Sequence, residues 1–432
     1  MNLSIRRLGL SKWWRIIGIG VQLWSAPGLL AGAEAISIRE AVAEAIANNP
    51  GLKAERMAIA VAEAALITAG QRPNPVASYA ADHLDALGTG FNDVNGAGPP
   101  EIALRVDLPW ERGHKRELRL ESAGFQGRIV RAKLSDSIRR LKLEVTLACV
   151  DVMEAKAKLA LANDNLRSLQ GIVTLNTTRV SAGAVAPVEL TRSRVAMLQF
   201  RGSVKAAELA LATARIRLQT LLGRSPGGGV DIADELRAPL PPAGPDPGRI
   251  QELALASRQD LAAIRLDQAR SEAELRLQLA LRKVDYTFGT EYRRQQGVNG
   301  KGNTLGFFFS APLPVFNRNQ GEIARARAEQ EMLRKSLSAA SAQVAGEVAG
   351  AFQEYEGTRA LVSEIERDLL GPSEEARNTT AYVYKAGASS FIDVLDAQRA
   401  FNETMSAYYG AQADYRRAAS RLAAAAGQEV IP

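Results

Sequence analysis

Residues 134–173 read LSDSIRRLKLEVTLACVDVMEAKAKLALANDNLRSLQGIV, and their period decides the fold class. Apolar or small residues stand at Leu134, Ile138, Leu141, Val145, Ala148, Val152, Ala155, Leu159, Ala162, Leu166, Leu169 and Val173. Their spacing alternates four and three without a miss, which is the seam of closely packed helices. Alanine recurs in the seam, so partner helices can approach closely. A second seam runs through Leu190, Met197, Phe200, Val204, Ala207, Leu211, Ala214, Leu218 and Leu221. Between the two lies Val180-Ser181-Ala182-Gly183-Ala184-Val185-Ala186-Pro187, with Gly to end one helix and Pro to begin the next. The pattern predicts a long antiparallel helical hairpin over about 111–222. Its first helix, from near Glu111 to near Val180, would be on the order of 100 Å long at 1.5 Å per residue.

The same design returns downstream. A helical run from about Asn319 carries Leu333, Leu337, Ala340, Val344, Val348, Ala351, Tyr355, Val362, Ile365 and Leu369 with one phase slip, and Gly371-Pro372 is expected to interrupt it. Ala386-Gly387-Ala388-Ser389-Ser390 makes a turn, and an alanine-rich helix follows to about Ala426. Ala182-Gly183-Ala184 overlays Ala386-Gly387-Ala388, Leu222-Gly223 overlays Ala426-Gly427, and Leu108-Pro109 overlays Leu313-Pro314. The chain therefore reads as two copies of one unit, about 205 residues apart. The first spans 34–223 and the second 249–427, with a linker over 224–248 and a tail over 428–432. The linker is assigned from Ser225-Pro226-Gly227-Gly228-Gly229 and Pro239-Leu240-Pro241-Pro242.

Each copy also holds a part that is not helical. Arg72-Pro73-Asn74-Pro75 stops a helix, because Pro lacks the donor and disfavours the helical region before it. Val76–His83 and Glu101–Leu108 then flank a polar, Gly-rich stretch, and Ile102, Leu104, Val106 and Leu108 alternate with Ala103, Arg105 and Asp107. That is the period of a two-faced strand. The second copy places Tyr286, Phe288 and Tyr292 before Gly297–Gly302, then Leu305–Leu313 with Phe307 and Phe309. Two β-hairpins follow, about 76–108 and about 284–313, which makes four candidate strands in all. Four strands cannot close a barrel, and an open sheet leaves unpaired edges. Either the sheet packs on the helices of a soluble protein, or several chains contribute to one membrane barrel. Two chains would give eight strands and a filled interior; three would give twelve and room for a channel.

Composition narrows the function classes. The 432 residues carry a formal net charge of +7, but Arg6, Arg7, Lys12 and Arg15 precede the apolar run of residues 16–30 and the small residues Ala31-Gly32-Ala33-Glu34-Ala35. That order is a secretory signal peptide over 1–33, cut after Ala33 or Ala35, with an uncleaved anchor helix as the alternative. Removing four of 54 basic residues and none of 47 acidic ones leaves +3, so there is no electrostatic case for nucleic-acid binding. No later window approaches a transmembrane helix. A single cysteine, Cys149, excludes an internal disulfide framework and reads as a packing residue, and no N-terminal lipid anchor is expected. His83 and His114 stand far apart and each alone, so no metal site is expected in the chain. No Ser/His/Asp set is readable, and Gly297–Gly302 lacks the spacing of a phosphate loop.

The signal, the duplicated helix–hairpin–helix unit and the Ala-Gly turns resemble the TolC family of outer-membrane efflux proteins. Arg72-Pro73-Asn74-Pro75, residues 108–116 (LPWERGHKR) and residues 312–321 (PLPVFNRNQG) are similar to its CzcC-like heavy-metal efflux branch. The chain departs from members that carry an N-terminal lipidated cysteine. The resemblance implies a mainly α fold with a small β part. Long helical hairpins would form a trimeric α-barrel in the periplasm, and four strands per chain would form a shared twelve-stranded β-barrel in the outer membrane. It implies no enzyme activity and no cofactor. The implied partners are two further copies, outer-membrane lipid, a periplasmic adaptor and an inner-membrane pump of the resistance–nodulation–division type. A soluble periplasmic scaffold, or an outlet for drugs or secreted protein, is the alternative.

Site residues follow in the same way. Trp110 ends a strand and suits the periplasmic edge of a bilayer, with ordinary packing as the other reading. The turns at Ala182, Gly183 and Ala184 and at Ala386, Gly387 and Ala388 need a residue without Cβ to end a helix. By resemblance they are the tips that meet the adaptor. Asp393 and Asp396 stand three apart on one helix face, and Ser390-x-x-Asp393 is a helix-capping pattern. The likeness of Val394-Leu395-Asp396-Ala397 to the family pattern implies a gate, with both carboxylates facing the lumen. The first-copy counterparts are Glu189 and Arg192, and Arg192 is a candidate to offset the acidic rings.

Overall fold

The structure is a computed structural model that describes residues 34–428 apart from 85, 89, 91–99, 226, 228, 242, 243, 298 and 299, and apart from the side chains of 296–301. The expected signal peptide and residues 429–432 of the expected tail lie outside the described residues. In chain order the elements are β1 (Glu34–Ile36), α1 (Ile38–Asn48), α2 (Pro50–Ala69), β2 (Val76–Asp82), β3 (Glu101–Trp110), α3 (Lys115–Ser181) and α4 (Pro187–Leu222). Then come β4 (Val230–Ile232), α5 (Pro247–Ser257), α6 (Gln259–Leu281), β5 (Tyr286–Gly297), β6 (Gly300–Ser310), α7 (Gln320–Glu364), a π-helical turn (Ile365–Leu369), α8 (Leu370–Lys385) and α9 (Phe391–Ala426).

The 67 residues of α3 form the spine. Its seam residues Val145, Ala148 and Val152 are fully buried, and they share a core with Leu218 and Leu222 of α4, Ala41 and Ala45 of α1, and β1 and β4. A second core joins α5, α6, α7 and α9 through Ala254, Leu261, Val348, Tyr355 and Leu422. A third, smaller one ties Leu169 and Ile172 of α3 to Phe200, Tyr384 and Phe391 near the far end of the hairpins. The first turns carry their own signals. Ser37 and Glu40 form a capping box on α1, and Pro50 and Pro187 open α2 and α4, where a missing N–H costs nothing.

The four longer strands make one antiparallel sheet in the order β2-β3-β5-β6, so the two hairpins join through β3 and β5. The expectation of only four strands needs correction, because β1 and β4 pair in parallel and stitch the chain start to residues 230–232. Three residues are too few to show a period, and β4 falls within a stretch whose Gly and Pro content reads as linker. The expected interruption at Gly371-Pro372 also differs, since the chain stays helical through both residues. Pro372 has no N–H to donate, and its ring crowds the carbonyl four residues earlier. The π-helical turn over Ile365–Leu369 widens the backbone at that carbonyl, so the helix bends its hydrogen bonding instead of ending.

Candidate channel wall, gate and docking tips

The sheet has two chemically distinct faces. Cross-strand partners point the same way, so register decides each face. Leu104 lies opposite Tyr79 and Tyr292, Tyr292 opposite Leu305, and Leu108 opposite Phe288, which lies opposite Phe309. All seven are exposed in the single chain. The reverse face is ionic. Arg105 Nε donates to Asp107 at 2.9 Å, Arg293 Nη1 to Glu101 at 2.8 Å, and Arg293 Nε to Glu291 at 3.0 Å. Gly289 sits opposite Asp107, and a Cβ there would collide with the Asp107 carboxylate. Trp110 closes β3 on the apolar face, opposite Tyr286, and is 64% exposed. The Arg112 guanidinium stacks 4.3 Å from the Tyr286 ring.

At the other end of the molecule both hairpins turn by the same device. Gly183 N–H donates to Val180 O at 3.0 Å and Ala184 N–H to Arg179 O at 2.8 Å; Gly387 donates to Tyr384 O at 3.0 Å and Ala388 to Val383 O at 3.0 Å. These are paired Schellman caps, with φ of 73° at Gly183 and 85° at Gly387. A Cβ on either glycine would meet nothing within 4 Å, so the backbone angle alone demands glycine. All six tip residues are exposed. The two tips lie side by side, because Arg179 Nη2 donates to the Tyr384 and Lys385 carbonyls at 3.2 and 2.9 Å.

Asp393 and Asp396 begin α9 next to the second tip, and both are exposed. Ser390 N–H and Oγ each donate to Asp393 Oδ2 at 2.9 Å, and Asp393 N–H donates back to Ser390 Oγ at 3.3 Å. The Ser390 backbone N–H, and then its hydroxyl, hold the Asp393 carboxyl below its ordinary value. Asp396 stays 3.9 Å from Arg399, a loose pair on the same helix. Arg192 turns to Glu189 of its own helix at 3.3 Å instead of toward these carboxylates.

Sequence reading missed a set of polar bridges that tie α3 to α8 and α9. Tyr384 OH donates to Asn176 Oδ1 at 2.5 Å, Gln398 Nε2 to Asn165 Oδ1 at 2.7 Å, and Asn165 Nδ2 to Asn402 Oδ1 at 2.6 Å. Asn165 is buried one position before the seam residue Leu166, and Asn176 is buried three positions after Val173, where the seam continues, so their polarity in an otherwise packed stripe was the available signal. Cys149 is fully buried, which pushes its thiol up to about 12. His83 and His114 are exposed, both with left-handed backbone, and among the described residues no three His, Cys, Asp or Glu side chains converge. Among those residues no helix is long and apolar enough to cross a membrane.

The profile of the Outer membrane efflux protein family matches residues 41–224 and 250–428. The chain belongs to that family. A relative is the Cobalt-zinc-cadmium resistance protein CzcC of Cupriavidus metallidurans, 25% identical over 83% of this chain and 88% of that one. Another is the Pyoverdine export outer membrane protein OpmQ of Pseudomonas putida, 28% identical over 56% of this chain and 52% of that one. The fold is similar to that of CusC, whose crystal structures bear on conformational changes accompanying folding and transmembrane channel formation, with TM-score 0.73, 16% identity and coverage of 97% of this chain and 99% of that one.

Proposed function

We propose that this outer-membrane efflux protein is the passive exit duct of a tripartite system, working as a trimer with a periplasmic adaptor and a resistance–nodulation–division pump. The observation that carries the reading is the sheet with one apolar face, one ionic face and two unpaired edges, β2 and β6. Three copies closing edge to edge give twelve strands with the apolar faces toward lipid and the ionic faces around the lumen. Trp110 then anchors the periplasmic interface. The paired caps at 182–184 and 386–388 dock the adaptor. Asp393 and Asp396 form two stacked acidic rings at the narrow end, where like charges attract cations and resist close approach. Cleavage of the signal after Ala33 leaves β1 whole.

Likeness to the cobalt-zinc-cadmium resistance protein favours divalent heavy-metal cations as cargo, while likeness to the pyoverdine exporter points to organic cargo. Deleting the gene and challenging cells with cobalt, zinc and cadmium salts separates the two. Metal sensitivity restored by the intact gene supports the first. Unchanged metal tolerance with accumulation of an organic export substrate supports the second.

A further inference from the structure

The junction between sheet and helices holds a basic pocket that conduction does not use. A cavity of about 510 Å³ opens between the end of α6 and the start of α7, with Leu279, Arg282, Val315, Phe316, Arg318 and Arg327 in its wall and no carboxylate lining it. Among the described residues the side chains of Arg282 and Arg327 have no ion-pair or hydrogen-bond partner, and the Arg318 side chain donates only to the Pro314 carbonyl at 3.2 Å. Gln320, the first residue of α7, also lines the cavity. Its helix begins from Asn319 with no side-chain cap, so first-turn amides remain free to face an anion. The first turn of α7 carries one carboxylate, Glu322, but it pairs with Arg325 of the same helix at 2.6 Å and does not line the cavity, so three guanidinium groups facing one cavity make an anion site.

The neighbouring surface is apolar. Leu313, Val315 and Phe316 are 83%, 60% and 91% exposed, too much for a loop facing only water. The pocket is also next to the sheet: Arg282 lies four residues before β5, and Val315 five residues after β6. We propose that it holds the phosphate of an anionic phospholipid in the periplasmic leaflet, with Leu313, Val315 and Phe316 against the acyl chains. The assignment rests on the membrane-barrel reading, which sets the sheet in the bilayer just above. Guanidinium forks match phosphate oxygens in two-point hydrogen bonds, and the quaternary amine of a zwitterionic lipid would be repelled by the same cluster. Three arginines acting at the bilayer surface give a preference on the order of 100-fold for anionic over zwitterionic lipid.

The test uses the full-length protein extracted in detergent, delipidated and titrated with phosphatidylglycerol, phosphatidylcholine or inorganic phosphate, with bound adducts counted by native mass spectrometry. The intact protein should retain phosphatidylglycerol about 100-fold more tightly than phosphatidylcholine. Arg282→Gln/Arg318→Gln/Arg327→Gln should lose that preference while remaining trimeric, and Arg201→Gln, on α4, should keep it. Equal retention of both lipids by the intact protein, or inorganic phosphate binding as tightly as phosphatidylglycerol, would overturn the lipid assignment. Trimers that dissociate in the triple variant would show that a second copy's carboxylates fill the pocket, and would overturn it too. An intact protein found outside the membrane would overturn the channel reading and the lipid site together.

Discussion

At Asp393 the carboxylate caps α9, the proposed gate would use the same group, and the pH dependence of each can be worked out. Its folded pKa is depressed below the ordinary 3.8 by Ser390, so its contribution to the start of α9 is complete above that value and fades only as pH falls through the lowered one. Cation selectivity in planar bilayers should therefore stay level from about pH 8 to pH 5 and collapse in stronger acid. Ser390→Ala removes the hydroxyl donor and should move that collapse to higher pH; an unmoved curve would detach selectivity from the cap. Replacing both Asp393 and Asp396 with Asn should weaken cation preference and block by multivalent cations in a correctly assembled trimer. Unchanged selectivity would leave Asp393 with capping alone. The Ser390-x-x-Asp393 pattern was legible because a capping box is a local, four-residue arrangement. That Arg192 pairs within its own helix was not, since three-residue pairing and longer reach compete for one side chain.

Among the elements, α8 is fastened to α3 at its C-terminal end. Tyr384 and Asn176 join it to α3, and Arg179 donates to its Tyr384 and Lys385 carbonyls, so the second tip is held against the first. Each such bond contributes about 0.5–1.5 kcal/mol net. Tyr384→Phe together with Arg179→Gln removes three such bonds and should loosen the tip end by about 1.5–4.5 kcal/mol and raise single-channel conductance; identical conductance would place the restriction elsewhere. Valine at Gly387 should be harsher than alanine, because the left-handed angle excludes a β-branched residue most strongly. Efflux should fall further for valine while trimers persist. The long helices were readable because a period of four and three over 40 residues admits no other structure. Gly371-Pro372 misled because Pro is a reliable stop only where no widened turn precedes it, and a π turn leaves no sequence mark.

For the whole molecule, the two-faced sheet is the feature from which the proposed shared barrel is argued. The exposed apolar side chains of one face and the Arg–carboxylate network on the other fit a membrane wall, and alternation in β3 made both faces legible. Barrel closure was not legible, because edge pairing between copies leaves no periodic trace in one chain. It is also the claim on which duct, gate and tips depend. In one chain β2 and β6 are at opposite edges of the sheet, roughly 14 Å apart over three strand spacings, too far for a disulfide. The decisive measurement is oxidative crosslinking, in outer membranes, of protein carrying one cysteine in β2 and one in β6, with Cys149→Ser to remove the natural thiol. Closure by three copies predicts covalent dimers and trimers and nothing larger. Persistent monomers, or a ladder running past three, would contradict it.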